Sequence, residues 1–302
     1  TTRMTKAALT LNYVRLLGGV ALSSIPDVMK NVMFNGWSES FKSAGSILTS
    51  TGREWKSLAK GELRDMGIGL EYVLATRANA MADVQDLVRT NNKFEKGLEN
   101  VTNKFGNIAL INQWNDTMKL WVGVTTQNKI LNNAVKALNG KLKGNGATEM
   151  AALGLDDAAL KRIGKQFEAH GERHGKGSFK LSNIKAWDDP DASRWLSAAL
   201  KKEVDNAIVT PSVGDKPIMA TSANINKLAF QFKSFMIASN NKTLVGGASR
   251  DDMNFVTSMI GMVGLGSITY YVKELVNGAA YDEIDVSPKR LILEGVDRSG
   301  AV

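Results

Sequence analysis

The chain has 302 residues, of which 43% are hydrophobic and 23% charged, a balance typical of a folded protein with a sizeable core. It contains no cysteine, which excludes disulfides, thiolate metal sites and cysteine nucleophiles. The net charge of +8 favours polyanions or acidic membrane surfaces as partners, although an interspersed basic excess also simply keeps a surface soluble. The sequence does not begin with Met and shows no signal-peptide pattern, and we expect both ends to belong to something longer.

Helical periodicity dominates and predicts an all-α fold, either a multi-helix bundle or an extended array with long helices. A first helix is predicted over Met4–Ser24. It ends before Pro26, because proline disfavours helical backbone in the residue that precedes it. Two shorter helices follow over Asp27–Met33 and Ser38–Thr49, separated by Asn35-Gly36.

A long helical stretch is predicted over Arg53–Asn139, with a break near Thr90–Asn92. It ends at Gly140–Gly146, a segment with three glycines and two lysines that disfavours helix. We place a boundary there. It divides an N-terminal helical subdomain, residues 1–140, from a C-terminal helical subdomain, residues 147–302.

The second half contains further helices and connections. Asp156 is a suitable N-cap for a helix that runs to about Glu168. His170–Pro190 is predicted to be a polar loop, and another helix runs from Asp189-Pro190 to about Val209. An amphipathic helix is predicted over Asn224–Val245.

The next helix is the most informative segment of the sequence. Asn254–Val272 has nineteen residues without a charge, which is roughly 28 Å of helix and close to the thickness of a bilayer core. Two tyrosines stand at its end, where interfacial aromatics are favoured. Its glycines and serines make the run only mildly apolar, so a buried helix of a soluble bundle is the alternative. The candidate membrane-inserting residues are Phe255, Ile260, Gly261, Gly264, Leu265, Gly266, Tyr270 and Tyr271.

A loose basic series near three phenylalanines gives candidate contacts to DNA phosphates. Such a series supports sequence-independent binding, but it is also what the wet face of an amphipathic helix looks like. The series consists of Lys227, Lys233, Lys242 and Arg250.

No residue pattern predicts a catalytic centre, a metal site or a cofactor. His170 and His174 are the only two histidines, and neither a third ligand nor the H-E-x-x-H spacing accompanies them. Glu39-Ser40 is the kind of pair found at the catalytic Glu of lytic transglycosylases, but the further motifs of a substrate groove do not follow. We therefore expect a protein that is not an enzyme.

Several phrases resemble those in the C-terminal region of large internal virion proteins of short-tailed bacteriophages. The similarity covers about the last two thirds of the chain. The phrases are Gln113-Trp114-Asn115-Asp116 with Met118-Lys119, Thr210-Pro211 with Gly214-Asp215-Lys216-Pro217, Gln231-Phe232-Lys233-Ser234-Phe235, and Glu294-Gly295-Val296-Asp297-Arg298-Ser299-Gly300.

This resemblance implies a structural role. Members of that family are long helical proteins stored in the capsid core. On infection they are ejected with the DNA and help to form a conduit across the host cell envelope. The implied partners are other core proteins, further copies of the chain (a homo-oligomer), phage DNA bound non-specifically, and the host inner membrane. The alternative from another class is a soluble helical scaffold or adaptor that contacts neither DNA nor lipid.

Overall fold

The computed structural model describes residues 25–48, 52–67, 111–174, 179–208, 246–248, 253–276 and 280–299. Helices make up 78% of these residues, and the only strands among them form one short hairpin, so the predicted all-α fold is confirmed. The helices are α1 (Val28–Asn35), α2 (Trp37–Leu48), α3 (Gly52–Asp65), α4 (Ile111–Leu138), α5 (Asn145–Ala152), α6 (Asp157–His170), α7 (Pro190–Ala207), α8 (Met253–Val276) and α9 (Pro288–Ser299). A three-residue helical turn lies at Gly246–Ala248, and a 3-10 turn at Ile184–Ala186.

Helix α4 is the centre of the fold. It packs against α1, α2, α3, α5, α6 and α7, and residues 119–131 are buried without interruption. A helix that is enclosed on all sides can carry polar side chains only if those side chains find hydrogen-bond partners. Several of its buried polar residues find them on the surrounding helices, as with Thr125, whose Oγ1 accepts from the Asn31 amide at 3.2 Å.

Most of the helix boundaries predicted from local signals are confirmed. The Asp156 carboxylate accepts a hydrogen bond from the Ala159 N–H at 2.7 Å and caps α6. The Asp189 carboxylate accepts from the N–H groups of Asp191 and Ala192 and caps α7, with Pro190 in its first turn. Helices α1 and α2 begin and end within two residues of the predicted bounds, on either side of Gly36, whose φ is +80°.

The long helix predicted over Arg53–Asn139 is interrupted where no break was expected. Helix α3 ends at Asp65, and Gly67 follows with a φ of +76°, a left-handed conformation typical of a helix C-terminus. The break predicted near Thr90–Asn92 and the helix predicted over Met4–Ser24 lie outside the described residues.

The glycine-rich segment after α4 is a tight turn. Gly140 and Gly144 both have positive φ, and α5 already begins at Asn145. Helix α4 before the turn packs against α6 and α7 after it, so the turn joins helices of one hydrophobic core. The division of the chain into two subdomains at this point remains a prediction.

The predicted polar loop over His170–Pro190 is wrong in part. Helix α6 continues to His170, and two antiparallel strands follow, β1 (Glu172–His174) and β2 (Phe179–Leu181). All three residues of β2 are buried, and it packs against α4. Strands of three residues are too short to show alternation in a sequence, which is why periodicity did not predict them.

Candidate functional site: an exposed apolar stripe on α8

Helix α8 is long and apolar enough to cross a membrane. It has 24 residues, or about 36 Å of helix, and its first charged residue is Lys273 near the C-terminal end. It is the one such helix among the described residues. Core helices of soluble proteins pass the same test of length and composition, but they are mostly buried, whereas only 28% of the most apolar window of α8 is buried.

One side of α8 packs against the protein. Its residues Ser258, Met262 and Thr269 are fully buried, and the helix contacts α1 and α9. Two glycines allow close approach on this side. A Cβ on Gly261 would contact the Met29 side chain of α1, and a Cβ on Gly266 would contact the backbone carbonyl of Gly295 in α9.

The opposite side of α8 is exposed and apolar over most of its length. The exposed residues recur at steps of three or four residues, with one step of seven from Ile268 to Leu275, and therefore form one line on the helix surface. Ile260 and Ile268, the two isoleucines of this line, are 68% and 54% exposed. We call this line the outer stripe. It consists of Met253, Val256, Ile260, Gly264, Ile268 and Leu275.

The residues that the sequence singled out in this helix do not share one face. Ile260 and Gly264 lie on the outer stripe, and Gly261 and Gly266 lie against other helices. Phe255, Leu265 and Tyr271 are half-buried, and Tyr270 is buried. Hydropathy alone did not identify the other four residues of the outer stripe, although their helical spacing was present in the sequence. These are Met253, Val256, Ile268 and Leu275.

Tyr270, predicted to lie at a membrane interface, is instead enclosed by α9. The guanidinium groups of Arg290 and Arg298 lie 5.8 Å and 5.2 Å from the centre of its ring. Glu294 forms an ion pair with each arginine, at 2.6 Å to Arg290. The hydrogen bond with Tyr270 and the charge of Glu294 raise the pKa of Arg290, so its guanidinium group stays charged in this cluster. It fixes α9 against the C-terminal third of α8.

The exposed aromatic residues beside α8 come from α2. The rings of Trp37 and Phe41 are stacked with their centres 5.5 Å apart, and they are 39% and 59% exposed. The Trp37 indole N–H donates to Thr257 Oγ1 of α8 at 3.0 Å. Trp37 therefore lies beside the N-terminal half of the outer stripe, since Thr257 is next in sequence to Val256, a residue of the stripe. No pattern in the sequence predicted this pair.

The polar groups that could suggest chemistry are engaged in structural contacts. Glu39 is half-buried and accepts from the Asn132 amide at 3.3 Å. Glu62 is buried and accepts from the Gln127 amide, the Ser182 hydroxyl and the Asn183 N–H. Burial raises the pKa of the Glu62 carboxyl, and these hydrogen bonds act in the opposite direction.

The two histidines lie on different elements. His170 ends α6 with its Nε2 3.7 Å from Asp188, and His174 lies on β1 with its Nε2 3.0 Å from Glu172. In the part of the chain that the structure describes, three or more potential metal ligands do not come together anywhere. The basic series Lys227, Lys233, Lys242 and Arg250 lies outside the described residues.

Comparison with protein-family models, with curated proteins and with solved structures finds no match for this chain. The likeness to phage internal virion proteins therefore depends on the sequence phrases alone.

Proposed function

We propose that this chain is a structural, non-enzymatic segment of an internal core protein of a short-tailed phage. In this proposal it is stored in the virion interior, leaves with the DNA, and enters the host cell envelope. There it helps to form the conduit for the genome, together with other core proteins and further copies of itself. It needs no cofactor, and its contacts with DNA are non-specific.

The observation that supports this proposal most directly is the outer stripe. This helix of bilayer length carries no charge from Met253 to Val272, and it exposes large apolar side chains on one face over most of its length. Contiguous exposed apolar surface on a protein is typical of membrane or protein contact sites. The exposed Trp37–Phe41 pair extends the same surface, and aromatic side chains favour the membrane interface.

The soluble scaffold remains the alternative, and the buried side of α8 favours it. That side packs against α1 and α9 as a bundle helix does. The two functions differ in what covers the outer stripe. A scaffold covers it with protein only, whereas a membrane-active protein places it in lipid for at least part of its working life.

Vesicle binding distinguishes the two functions. The wild-type chain should float with anionic liposomes at neutral or mildly acidic pH. Gly264→Arg should abolish insertion, because an arginine at a bilayer centre costs roughly 2.5–3.5 kcal/mol on insertion scales. A side chain at Gly264 meets open space, so the variant should fold normally.

Gly61→Arg is a matched control. Gly61 is also a helical glycine with open space around it, but it lies on α3, which packs against α2 and α4. This variant adds the same charge and should bind vesicles like the wild type. If the wild-type chain leaves anionic vesicles unbound and intact at both pH values, the membrane function is wrong and the scaffold takes its place.

A further inference from the structure

Among the residues that the structure describes, no close helix contact requires a glycine at position 264. The other two glycines of α8, Gly261 and Gly266, each lie where a Cβ would collide with a neighbouring helix. A Cβ on Gly264 would meet nothing within 4 Å. Glycine inside a helix is nevertheless less favourable than alanine, because it loses more backbone freedom on folding. The position therefore carries a cost that no contact within the described residues explains.

Gly264 also lies at the midpoint of the outer stripe. It is eleven residues from Met253 and eleven from Leu275. An eleven-residue spacing corresponds to 3.67 residues per turn, which is close to a straight line along an α-helix. Ile260 and Ile268 project one turn before and one turn after it, and both are exposed. The stripe thus has a shallow centre of bare backbone between two large apolar side chains.

This shape fits the backbone of a second helix. Small residues allow two helices to approach closely, and in membranes such close packing drives helix association. Lipid chains are fluid and adapt to the helix surface, so a glycine at one position does not improve their packing. The stripe from Met253 to Leu275 also has no exposed charge at its centre that would repel an identical helix.

We propose that the outer stripe is covered by the α8 helix of a second copy of this chain, with the two helices crossing at Gly264. In a two-fold pair the same patch meets itself, so each Gly264 faces the other and the isoleucines of one copy flank the backbone of the other. This inference deepens the proposed membrane function, because it names the contact through which inserted copies associate.

Single cysteines test the crossing point, and the chain suits this because it contains none of its own. A disulfide requires the two Cα atoms to approach to about 4.4–6.8 Å. Under mild oxidation of the full chain in vesicles of anionic lipid, Gly264→Cys should form a covalent dimer. Val256→Cys, two turns away where crossing helices have diverged, should cross-link less. Lys201→Cys, exposed on α7, should give only collisional cross-linking.

A second set of variants tests close packing without oxidation. Gly264→Leu should weaken self-association about tenfold, because a leucine side chain overpacks a tight contact between two helices. Gly264→Ala should weaken it less. Both variants should keep the wild-type helix content, because a side chain there meets open space in the single chain.

The outcomes separate this inference from the proposed function. If vesicles bind the chain but Gly264→Cys cross-links no faster than Lys201→Cys, lipid covers the stripe and the inference is wrong while the membrane function stands. If vesicles are not bound and Gly264→Cys still cross-links selectively in solution, the paired helices stand and the membrane function fails.

Discussion

Gly266 and Gly295 bring α8 and α9 together backbone to backbone. A Cβ on Gly266 would contact the carbonyl oxygen of Gly295, and a Cβ on Gly295 would lie 2.5 Å from the Val263 carbonyl oxygen. The Ser267 hydroxyl uses this proximity to donate to the Leu291 carbonyl oxygen at 2.8 Å, across the two helices. The inner side of α8 is therefore already occupied by α9, and the outer stripe is what remains for other partners.

Two alanine substitutions in α8 should change stability in opposite directions. Gly264→Ala should raise the free energy of unfolding by about 1 kcal/mol, because it improves helix propensity in open space. Gly266→Ala should lower the free energy of unfolding by roughly 1–3 kcal/mol, because its methyl group forces α9 away. Urea unfolding followed by circular dichroism measures both effects. Equal effects of the two substitutions would contradict the assignment of the inner and outer sides of α8.

The buried carboxyl of Glu62 should make stability depend on pH. Burial raises its pKa in the folded protein above the ordinary value of 4.5, so the folded state binds this proton more tightly than the unfolded chain does. The stabilisation is complete below pH 4.5 and is lost as the pH rises through the raised folded pKa.

Glu62→Gln should remove that dependence. Glutamine does not titrate, so the variant's free energy of unfolding should lack the part of the decline that Glu62 causes. Its amide would also face the Gln127 amide, which now donates to Glu62 at 2.8 Å, and some stability should be lost at every pH. Denaturant titrations at several pH values check this. The same slope against pH in both proteins would show that Glu62 is not the titrating group.

Local signals in the sequence predicted the parts of the fold that local physics decides. Asp156 and Asp189 cap α6 and α7 because an N-cap needs only a short polar side chain and the next two or three N–H groups. Most of the length of α8 follows from its run without charge, although the helix continues past Val272 through Lys273 to Val276. These features do not depend on what packs against the helix.

The features of the fold that could not be predicted from the sequence depend on tertiary contacts. The polar run Thr125–Lys129 covers more than one turn of α4, yet all of it is buried because α1, α2, α3, α5 and β2 supply partners. Which glycine of α8 faces outward also depends on the positions of Met29 and Gly295. Both residues are distant in sequence, so spacing within α8 could not distinguish Gly264 from Gly266.

Acid should weaken the contact between α6 and α7. The Arg162 guanidinium donates two hydrogen bonds of 2.6 Å to the Asp189 carboxylate and lowers the pKa of Asp189 from 3.8 to about 2. Because the folded pKa is lowered, this stabilisation is present above pH 3.8 and is lost as the pH falls toward 2. Asp189→Ala should lower the free energy of unfolding at neutral pH by about 1 kcal/mol or more, since it also removes the N-cap of α7.

The variant should also show a weaker loss of stability between pH 4 and pH 2 than the wild type. Lys161→Ala on the same helix is the control, because Lys161 forms only an exposed ion pair with Asp157. A wild-type acid transition that Asp189→Ala leaves unchanged would contradict the role of this pair.

The aromatic pair beside the outer stripe should contribute to membrane binding. Phe41 is 59% exposed and stacks on Trp37, which is hydrogen-bonded to Thr257 of α8. In the proposed membrane-bound state its ring leaves water. Burying a phenylalanine side chain fully contributes about 1.5–3 kcal/mol, so Phe41→Ser should weaken partitioning into anionic vesicles roughly tenfold.

Leu58→Ser is the matched control. Leu58 is 50% exposed and lies on α3, which packs against α2 and α4. The substitution removes a similar exposed apolar side chain, and vesicle partitioning should stay within about a factor of two of wild type, as expected for a surface change of under 0.5 kcal/mol. Sedimentation with vesicles of increasing lipid concentration measures the partition coefficient of each variant. If both variants lose the same amount, the effect is one of general surface hydrophobicity and α2 has no specific place at the membrane. If neither loses any, the membrane-contacting surface is limited to α8.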